Sequence, residues 1–392
     1  MQFQVEPLRE RLLTFKVSHL RFMTQNALFL ASLIGLIAGG VWVWAPFVAT
    51  NVLINVVDDF GGADRTLDEA PPVAMHARNL YLTVVLLVLN ATFFAYHFGS
   101  GDPLGLAALL HHVGIDLEAS RKSTSSLDLI LALFAQGFNY SVAISSAHEL
   151  MHCADSRIKM ALSNWIGALV LNPWFMTHHV ARHHRYVGLP CDVGTARRGM
   201  SVYGYIARSV PGNYAFAARY EKERMARRGL PQWSLQNRFV SGWIILIAIA
   251  GFFLFIGGPL GLLAFVASGV VGRVMVESID YVQHYGLLRV EDEPVTPRLS
   301  WDVYRPGTNA ILNNLGRHAD HHEHPARPSV ELHVNADAPE LPIGYLKLVT
   351  ITLVPPLFFK IMQPRLDAWD RDYATGADIA FMKANGIRCF ER

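Results

Sequence analysis

Four strongly apolar stretches of the chain carry no Asp, Glu, Lys or Arg and are read as spans: residues 22–57, 79–101, 129–148 and 239–272. One helix needs about 20 apolar residues to cross a bilayer. The first and last stretches are long enough for two helices each. Gly39, Gly40 and Pro46 interrupt the first, and Gly257, Gly258 and Pro259 interrupt the last; such residues mark turns. The pattern therefore predicts an all-α integral membrane protein with six transmembrane helices: two in 22–57, one each in 79–101 and 129–148, and two in 239–272. Residues 160–181 are uncharged but hold Pro173, His178 and His179, and 348–359 are too short to cross and hold Pro355 and Pro356. Both are expected to pack on the membrane face.

Basic residues near the spans set direction. Arg9, Arg11, Lys16 and Arg21 precede the first stretch, which puts the N-terminus in the cytoplasm. Four passes return the chain there, so 149–238 is read as cytoplasmic. It holds Arg197, Arg198, Arg219, Arg224, Arg227, Arg228 and Arg238. Two further passes leave 273–392 cytoplasmic as well. The loop 58–78, with Asp58, Asp59, Asp64, Asp68 and Glu69, is acidic and adds little to this argument. The 392 residues are read as one membrane-bound domain.

Only 17% of the residues are charged and 52% are hydrophobic, against about 25% charged in a soluble domain. The net charge of +2 gives no basis for a nucleic-acid partner. Cys153, Cys191 and Cys389 lie far apart with no C-x-x-C, which argues against a disulfide framework or a built-in iron–sulfur module. No cleavable leader is read at the N-terminus, because its apolar stretch is too long for one.

Eleven of the 17 histidines fall between His148 and His324. His148 and His152 are four residues apart, so a helix puts both imidazoles on one face. The pair matches a zinc-protease motif, with Glu149 inside it, and could equally be structural. His179, His183 and His184 form a second cluster after His178; the alternative is a basic patch with Arg182 and Arg185. His318, His321 and His322 form a third, and Asp320 and Glu323 beside them are candidate acceptors for an imidazole N–H. His284, in Tyr281-Val-Gln-His284-Tyr285-Gly286, gains its reading as a ligand from the other three clusters. A structural zinc takes four ligands and a catalytic zinc three, so nine imidazoles point to two metals. Imidazole suits iron, zinc, copper and nickel alike. The acids Glu149, Asp192, Glu277, Asp280 and Asp320 are candidates to offset metal charge, each with a structural role as the alternative.

The set His148-x-x-x-His152, His179-x-x-x-His183-His184, His284-Tyr285-Gly286 and His318-x-x-His321-His322 resembles the membrane alkane hydroxylase and xylene monooxygenase family, within the wider fatty-acid desaturase and hydroxylase superfamily. The resemblance covers most of the chain. Gly316-Arg-His-Ala-Asp-His-His322 is more similar to the alkane enzymes. Residues 39–44, 276–286 and 369–375 are more similar to xylene monooxygenase, and 223–233 resembles both. Two positions depart from the alkane pattern: His178, where a Glu is usual, and Gly316, where a Gln is usual. The resemblance implies two iron ions held by the nine histidines, molecular oxygen as co-substrate and hydroxylation of a methyl group on an apolar substrate reached from the bilayer. It also implies a separate electron donor, a rubredoxin or a ferredoxin-type reductase. Arg224, Arg227 and Arg228 are the expected docking area, with lipid headgroup contact as the plainer reading. Trp42, Trp44, Phe93, Phe94 and Phe134 are candidates to line a substrate channel, with packing as the default for each. A lipid desaturase or acyl hydroxylase is the alternative within the superfamily. A metal transporter would carry ionisable residues at mid-membrane; only His97 lies clearly within a span.

Overall fold

The computed structural model describes residues 16–65, 71–153, 156–291 and 293–390. Arg9, Arg11, Asp68 and Glu69 lie outside the described residues. The helices are α1 (Thr24–Ala38), α2 (Ala45–Phe60), α3 (Val73–Phe98), α4 (Leu106–His111), α5 (Leu117–Ser123), α6 (Ser126–His152), α7 (Arg157–Leu169), α8 (Phe175–His178), α9 (His184–Tyr186), α10 (Val202–Arg227), α11 (Arg238–Gln283), α12 (Pro306–Ile311), α13 (His318–Glu323), α14 (Tyr345–Thr352), α15 (Pro355–Asp372) and α16 (Gly376–Ala384). Among the described residues there is no strand, only a bridge between Asp302 and Glu340.

Four segments are long and apolar enough to cross a membrane: Val17–Ala38, Ala74–Phe98, Ser126–His152 and Arg238–Gln283. They fall on the four charge-free stretches, but their ends differ. The third starts early because Ser125 and Asp128 form a capping box, which satisfies the first free N–H groups. The same helix then runs on far enough to carry both His148 and His152.

The first stretch breaks where expected. Gly39 takes φ 78°, open to glycine at little cost. The chain turns back so tightly that a Cβ on Gly35 would meet the Trp42 carbonyl. The helix that follows, α2, has 16 residues, about 24 Å at the helical rise. That is below the roughly 30 Å of a hydrocarbon core, so it is not among the four.

The last stretch is a hairpin. Gly258 has φ 63° and ψ −160° inside α11, followed by Pro259. Phe253 and Phe265 stack with ring centroids 4.9 Å apart, whereas twelve residues of continuous helix would separate them by about 18 Å. The returning limb packs on α6 through small residues: Cβ atoms on Gly137 and Gly272 would strike the Ser268 and Gly137 carbonyls. Two helices without large side chains at their contact can approach this closely.

The segments 160–181 and 348–359 form no long apolar helix. The first divides at Leu171, φ 56°, and the second divides into α14 and α15 ahead of Pro355. Asp58 accepts hydrogen bonds from the Thr308 N–H and hydroxyl at 2.9 and 2.6 Å. Asp64 pairs with Arg21 at 3.1 Å and Arg317 at 3.5 Å, and Asp59 with Lys347 at 2.6 Å. Residues 58–65 therefore lie on the end of the bundle that carries the histidines. Residues 99–123 close the opposite end, where Arg121 donates to the Gly99 and Gly101 carbonyls.

Candidate metal centre

The nine histidines meet at one end of the bundle in two sets. His148, His152, His179, His184 and His321 form one, and His183, His284, His318 and His322 the other; within a set the candidate ligand atoms all lie within 4.8 Å of one another. His148 and His152 sit one turn apart on α6. His284 closes the returning limb of α11, and His318, His321 and His322 come from the single-turn α13.

The second cluster needs a special backbone. Residues His179–His183 form a π-turn, and the His184 N–H reaches the carbonyl of His179. The wider turn, about 4.4 residues, carries position i+5 back onto the face of position i, where an α-helix would place it about 140° away. His179 and His184 thereby join one set while His183 faces the other. His178 stays apart, buried with its Nε2 3.2 Å from Asn172 Nδ2.

The ring nitrogens form unbroken chains. In the first set His148, His179, His184 and His321 are linked by Nε2···Nε2 distances of 3.0, 3.0 and 3.1 Å. In the second, His183, His284, His318 and His322 are linked by three distances of 3.1 Å. A ring nitrogen carries one proton or one lone pair, so it makes one good hydrogen bond in the ring plane. His179, His184, His284 and His318 each have two nitrogen neighbours, so hydrogen bonding cannot account for the chains. Lone pairs converging on a shared cation can: ligands at right angles about 2.1 Å from a metal lie about 3 Å apart. His152 Nε2 is buried without a hydrogen-bond partner, as a ligand atom of the same set would be. The donor set fits two metal ions, one in each histidine set.

Electrostatics agree with that chemistry. Burial, aided by neighbouring imidazoles, holds His179, His184, His318, His321 and His322 well below the ordinary histidine range. Burial takes His284 down to about 3. These rings are neutral at pH 7, as a metal ligand must be. For His183 burial also pushes down, but the charge and hydrogen bond of Asp192 outweigh it and the pKa rises. Asp192 Oδ2 lies 3.1 Å from His183 Nδ1, and Thr195 and the Gly194 N–H hold the same carboxylate. For Asp192, burial raises the pKa, but His183 and these donors win and bring it to about 2. The other ring nitrogen of His284, Nδ1, lies 2.9 Å from the Leu299 carbonyl. Both contacts fix ring orientation.

The other candidate acids serve elsewhere. Glu149 accepts from the Ser329 N–H at 2.7 Å and faces His76 at 3.4 Å. Glu277 is held by Arg273 at 2.8 Å and by Ser209. Asp320 takes both bonds of Arg327 and meets His324 rather than a clustered imidazole. Asp280 lines a cavity of about 50 Å³ beside His148, His179 and His318. The rest of that wall is Ser141, Ile144, Ser145, Phe175, Val276, Ile279, Gln283, Leu312 and Leu315. None of the five aromatic channel candidates is on it. Trp42 and Phe134 are exposed, Phe93 and Phe94 are core residues, and Trp44 donates to Asp128 at 2.8 Å.

Three lining residues were legible in principle, because Ser141, Ile144 and Ser145 precede His148 by seven, four and three residues on the same helix face. Asp302 had no such signal. It is fully buried, accepts from the Ala319 N–H and the Tyr304 hydroxyl at 2.7 Å each, and so anchors the start of the helix bearing three histidines. Burial raises its pKa to about 7.

Apolar helices ending in clustered imidazoles define a histidine-rich helical protein of the membrane-enzyme type with sites that suit metal ions, and comparison with known proteins shows it to be an oxidoreductase. The chain belongs to the fatty acid desaturase family, whose model matches residues 123–346. Within it, the chain is similar to the alkane 1-monooxygenase of Acinetobacter baylyi, 34% identical over 341 residues that make up 85% of this chain and 79% of that one. Alkane 1-monooxygenase 2 of Alcanivorax borkumensis is 33% identical over 338 residues, 84% of both chains. The xylene/toluene monooxygenase hydroxylase component XylM of Pseudomonas putida is 27% identical over 367 residues, 91% of both.

Proposed function

We propose that the chain is an O2-dependent di-iron monooxygenase that hydroxylates a methyl group of an apolar substrate: an alkane, an alkyl side chain or a methyl-arene. One observation carries this reading: two chains of nitrogen contacts, built from eight of the nine histidines, that no hydrogen-bond pattern explains. His148, His152, His179, His184 and His321 would hold one iron, and His183, His284, His318 and His322 the other. Bound iron supplies the redox chemistry for O2 activation and C–H oxidation, which side chains alone lack. The protein's part is to orient the imidazoles through Asp192 and the Leu299 carbonyl and to present a small, largely apolar cavity. A cavity near 150 Å³ holds benzene, so about 50 Å³ suits a methyl terminus rather than a whole substrate. The remainder would extend toward the lipid side.

In this reading all 392 residues act as one unit in a bacterial-type inner membrane, with six crossings and the histidines and both termini in the cytoplasm. The chain holds no cysteine-rich redox module, and its similarity to a component named as the hydroxylase part of a monooxygenase supports a separate donor, a rubredoxin or a ferredoxin-type reductase. Docking is assigned to the basic 197–228 surface. Arg224 is already bound to the buried Glu221 at 2.6–2.8 Å, so the charge open to a donor near it belongs to the exposed Arg228 and to Arg227, which is exposed and pairs only with the exposed Glu223 at 3.7 Å.

The test is metal analysis of purified protein followed by donor-coupled assays on octane, xylene and a fatty acid. Two irons per chain and an alcohol from a hydrocarbon are expected. A new double bond in the fatty acid would move the chain to the desaturases, and a metal-free or zinc protein would end the proposal. Charge reversal of Arg227 and Arg228 is expected to raise the KM for donor in a salt-dependent way; an unchanged KM would move docking elsewhere.

A further inference from the structure

The one carboxylate on the metal-facing cavity is unexplained by packing. Asp280 shares that wall with imidazoles of both sets, His148 and His179 of one and His318 of the other. Among the described residues no donor lies within hydrogen-bond distance of it. Its polar neighbours on the wall are already engaged. Ser141 donates to the Phe138 carbonyl at 2.8 Å, and Ser145 donates to the Val142 carbonyl and accepts from Gln25. Gln283 faces the Tyr345 hydroxyl. Asp280 is half-buried, and a carboxylate that faces a largely apolar cavity without a donor gains from any occupant that supplies one. A cationic occupant is disfavoured beside two sites built for metal ions. A hydrocarbon offers no hydrogen bond. What remains is a neutral molecule with an O–H at one end.

We propose that Asp280 accepts a hydrogen bond from a hydroxyl held in this cavity, and that the cavity therefore binds the alcohol formed there in preference to the parent hydrocarbon. This deepens the monooxygenase reading and rests on it. Hydroxylation places an O–H on the carbon nearest the imidazoles, on the stretch of wall where Asp280 waits. The same residue sets specificity, favouring substrates that already bear a hydroxyl and penalising purely apolar ones. Water could supply the same O–H, and the experiment separates the two sources.

The probes are 4-fluorobenzyl alcohol and 4-fluorotoluene, titrated by 19F NMR into purified full-length wild type, Asp280→Asn and Asp280→Leu in identical micelles, so that partitioning cancels. Iron content of each variant reports whether the fold survives. The alcohol is expected to lose about tenfold in affinity in Asp280→Leu, the loss of one hydrogen bond, and less in Asp280→Asn, while 4-fluorotoluene does not weaken. If only an exchangeable-deuteron coupling in pulsed EPR of the iron-loaded protein disappears in Asp280→Leu, the hydroxyl site stands and its occupant is water. Alcohol affinity and coupling both unchanged in both variants would overturn the proposal. Iron-free wild type would instead overturn the monooxygenase reading, so the two failures are distinct.

Discussion

His179 and His184 are five residues apart in sequence, yet their Nε2 atoms stand 3.0 Å apart. The π-turn between them makes this possible. Deleting Ala181 removes its extra residue. The three histidines would then stand at i, i+3 and i+4 of an ordinary α-helix. That spacing can still be divided, as α13 shows, but it moves His183 and His184 off the angular positions that the π-turn gives them relative to His179. The deletion is expected to lower bound iron from two to one or fewer per chain while helix content by circular dichroism stays near wild type. Two irons retained would show that the turn is incidental.

Asp192 holds His183 by the one ring nitrogen not turned toward the other imidazoles. Asp192→Ala removes the orienting acceptor and leaves the Gly194 N–H and Thr195 hydroxyl without theirs. Removing such a partner weakens metal binding or activity about 10–100-fold. The effect should fall on the four-histidine set. Equilibrium dialysis against iron is expected to show one weakened and one unaltered site, and Asp192→Asn should recover part of the loss. Two equally weakened sites would assign Asp192 a general folding role instead.

Much of this arrangement is legible in the chain, and the parts that are not share a cause. Charge-free runs located the long helices, because a segment facing lipid or a helical core cannot carry unpaired charge. Gly257-Gly258-Pro259 located the hairpin, since a glycine before proline both permits and enforces the turn. Helical spacing brought His148 near His152. It did not foretell that each later cluster would be shared. In α13, His318 and His322 are about 40° apart around the helix and His321 lies on the other side of His318 by about 60°. His321 therefore joins the first set while its neighbours join the second. Asp302 gains its role from packing between segments distant in sequence, which one-dimensional periodicity does not carry, whereas Asp280, one turn before His284, stands among the acids the sequence singles out.

Removing the metals should expose a pH dependence. Burial lowers the pKa of His179, His184, His284, His318, His321 and His322 below the ordinary 6.5. Below pH 6.5 the unfolded chain therefore binds more protons than the folded one, and stability falls as pH falls. These groups impose no such cost above 6.5. His183, with its raised pKa, works in the opposite sense, but it is one ring against six. Chelator-treated protein is expected to show a falling Tm from pH 7 to 5, and iron-loaded protein a smaller decline, because metal competes with protons for the same nitrogens. Equal slopes with and without metal would mean that the clustered rings do not bind it.

Orientation can be read with the chain's own thiols. Cys191 is exposed and lies next to Asp192, on the histidine end. Val113 is 71% exposed in the segment 99–123 that closes the opposite end. Arg21, Arg182, Arg185, Arg197 and Arg198 gather near the histidine end, whereas 99–123 holds Asp102, Asp116 and Glu118 against Arg121 and Lys122. On the proposed orientation, with basic residues retained on the cytoplasmic side, Cys191 would lie inside and Val113 outside. With Cys153 and Cys389 changed to Ser, Cys191 in intact cells should resist a membrane-impermeant maleimide and react once the membrane is opened. Val113→Cys, with Cys191 also changed to Ser, should react without opening. Labelling in the reverse order would invert the chain in the membrane and put the histidines on the face away from any cytoplasmic electron donor.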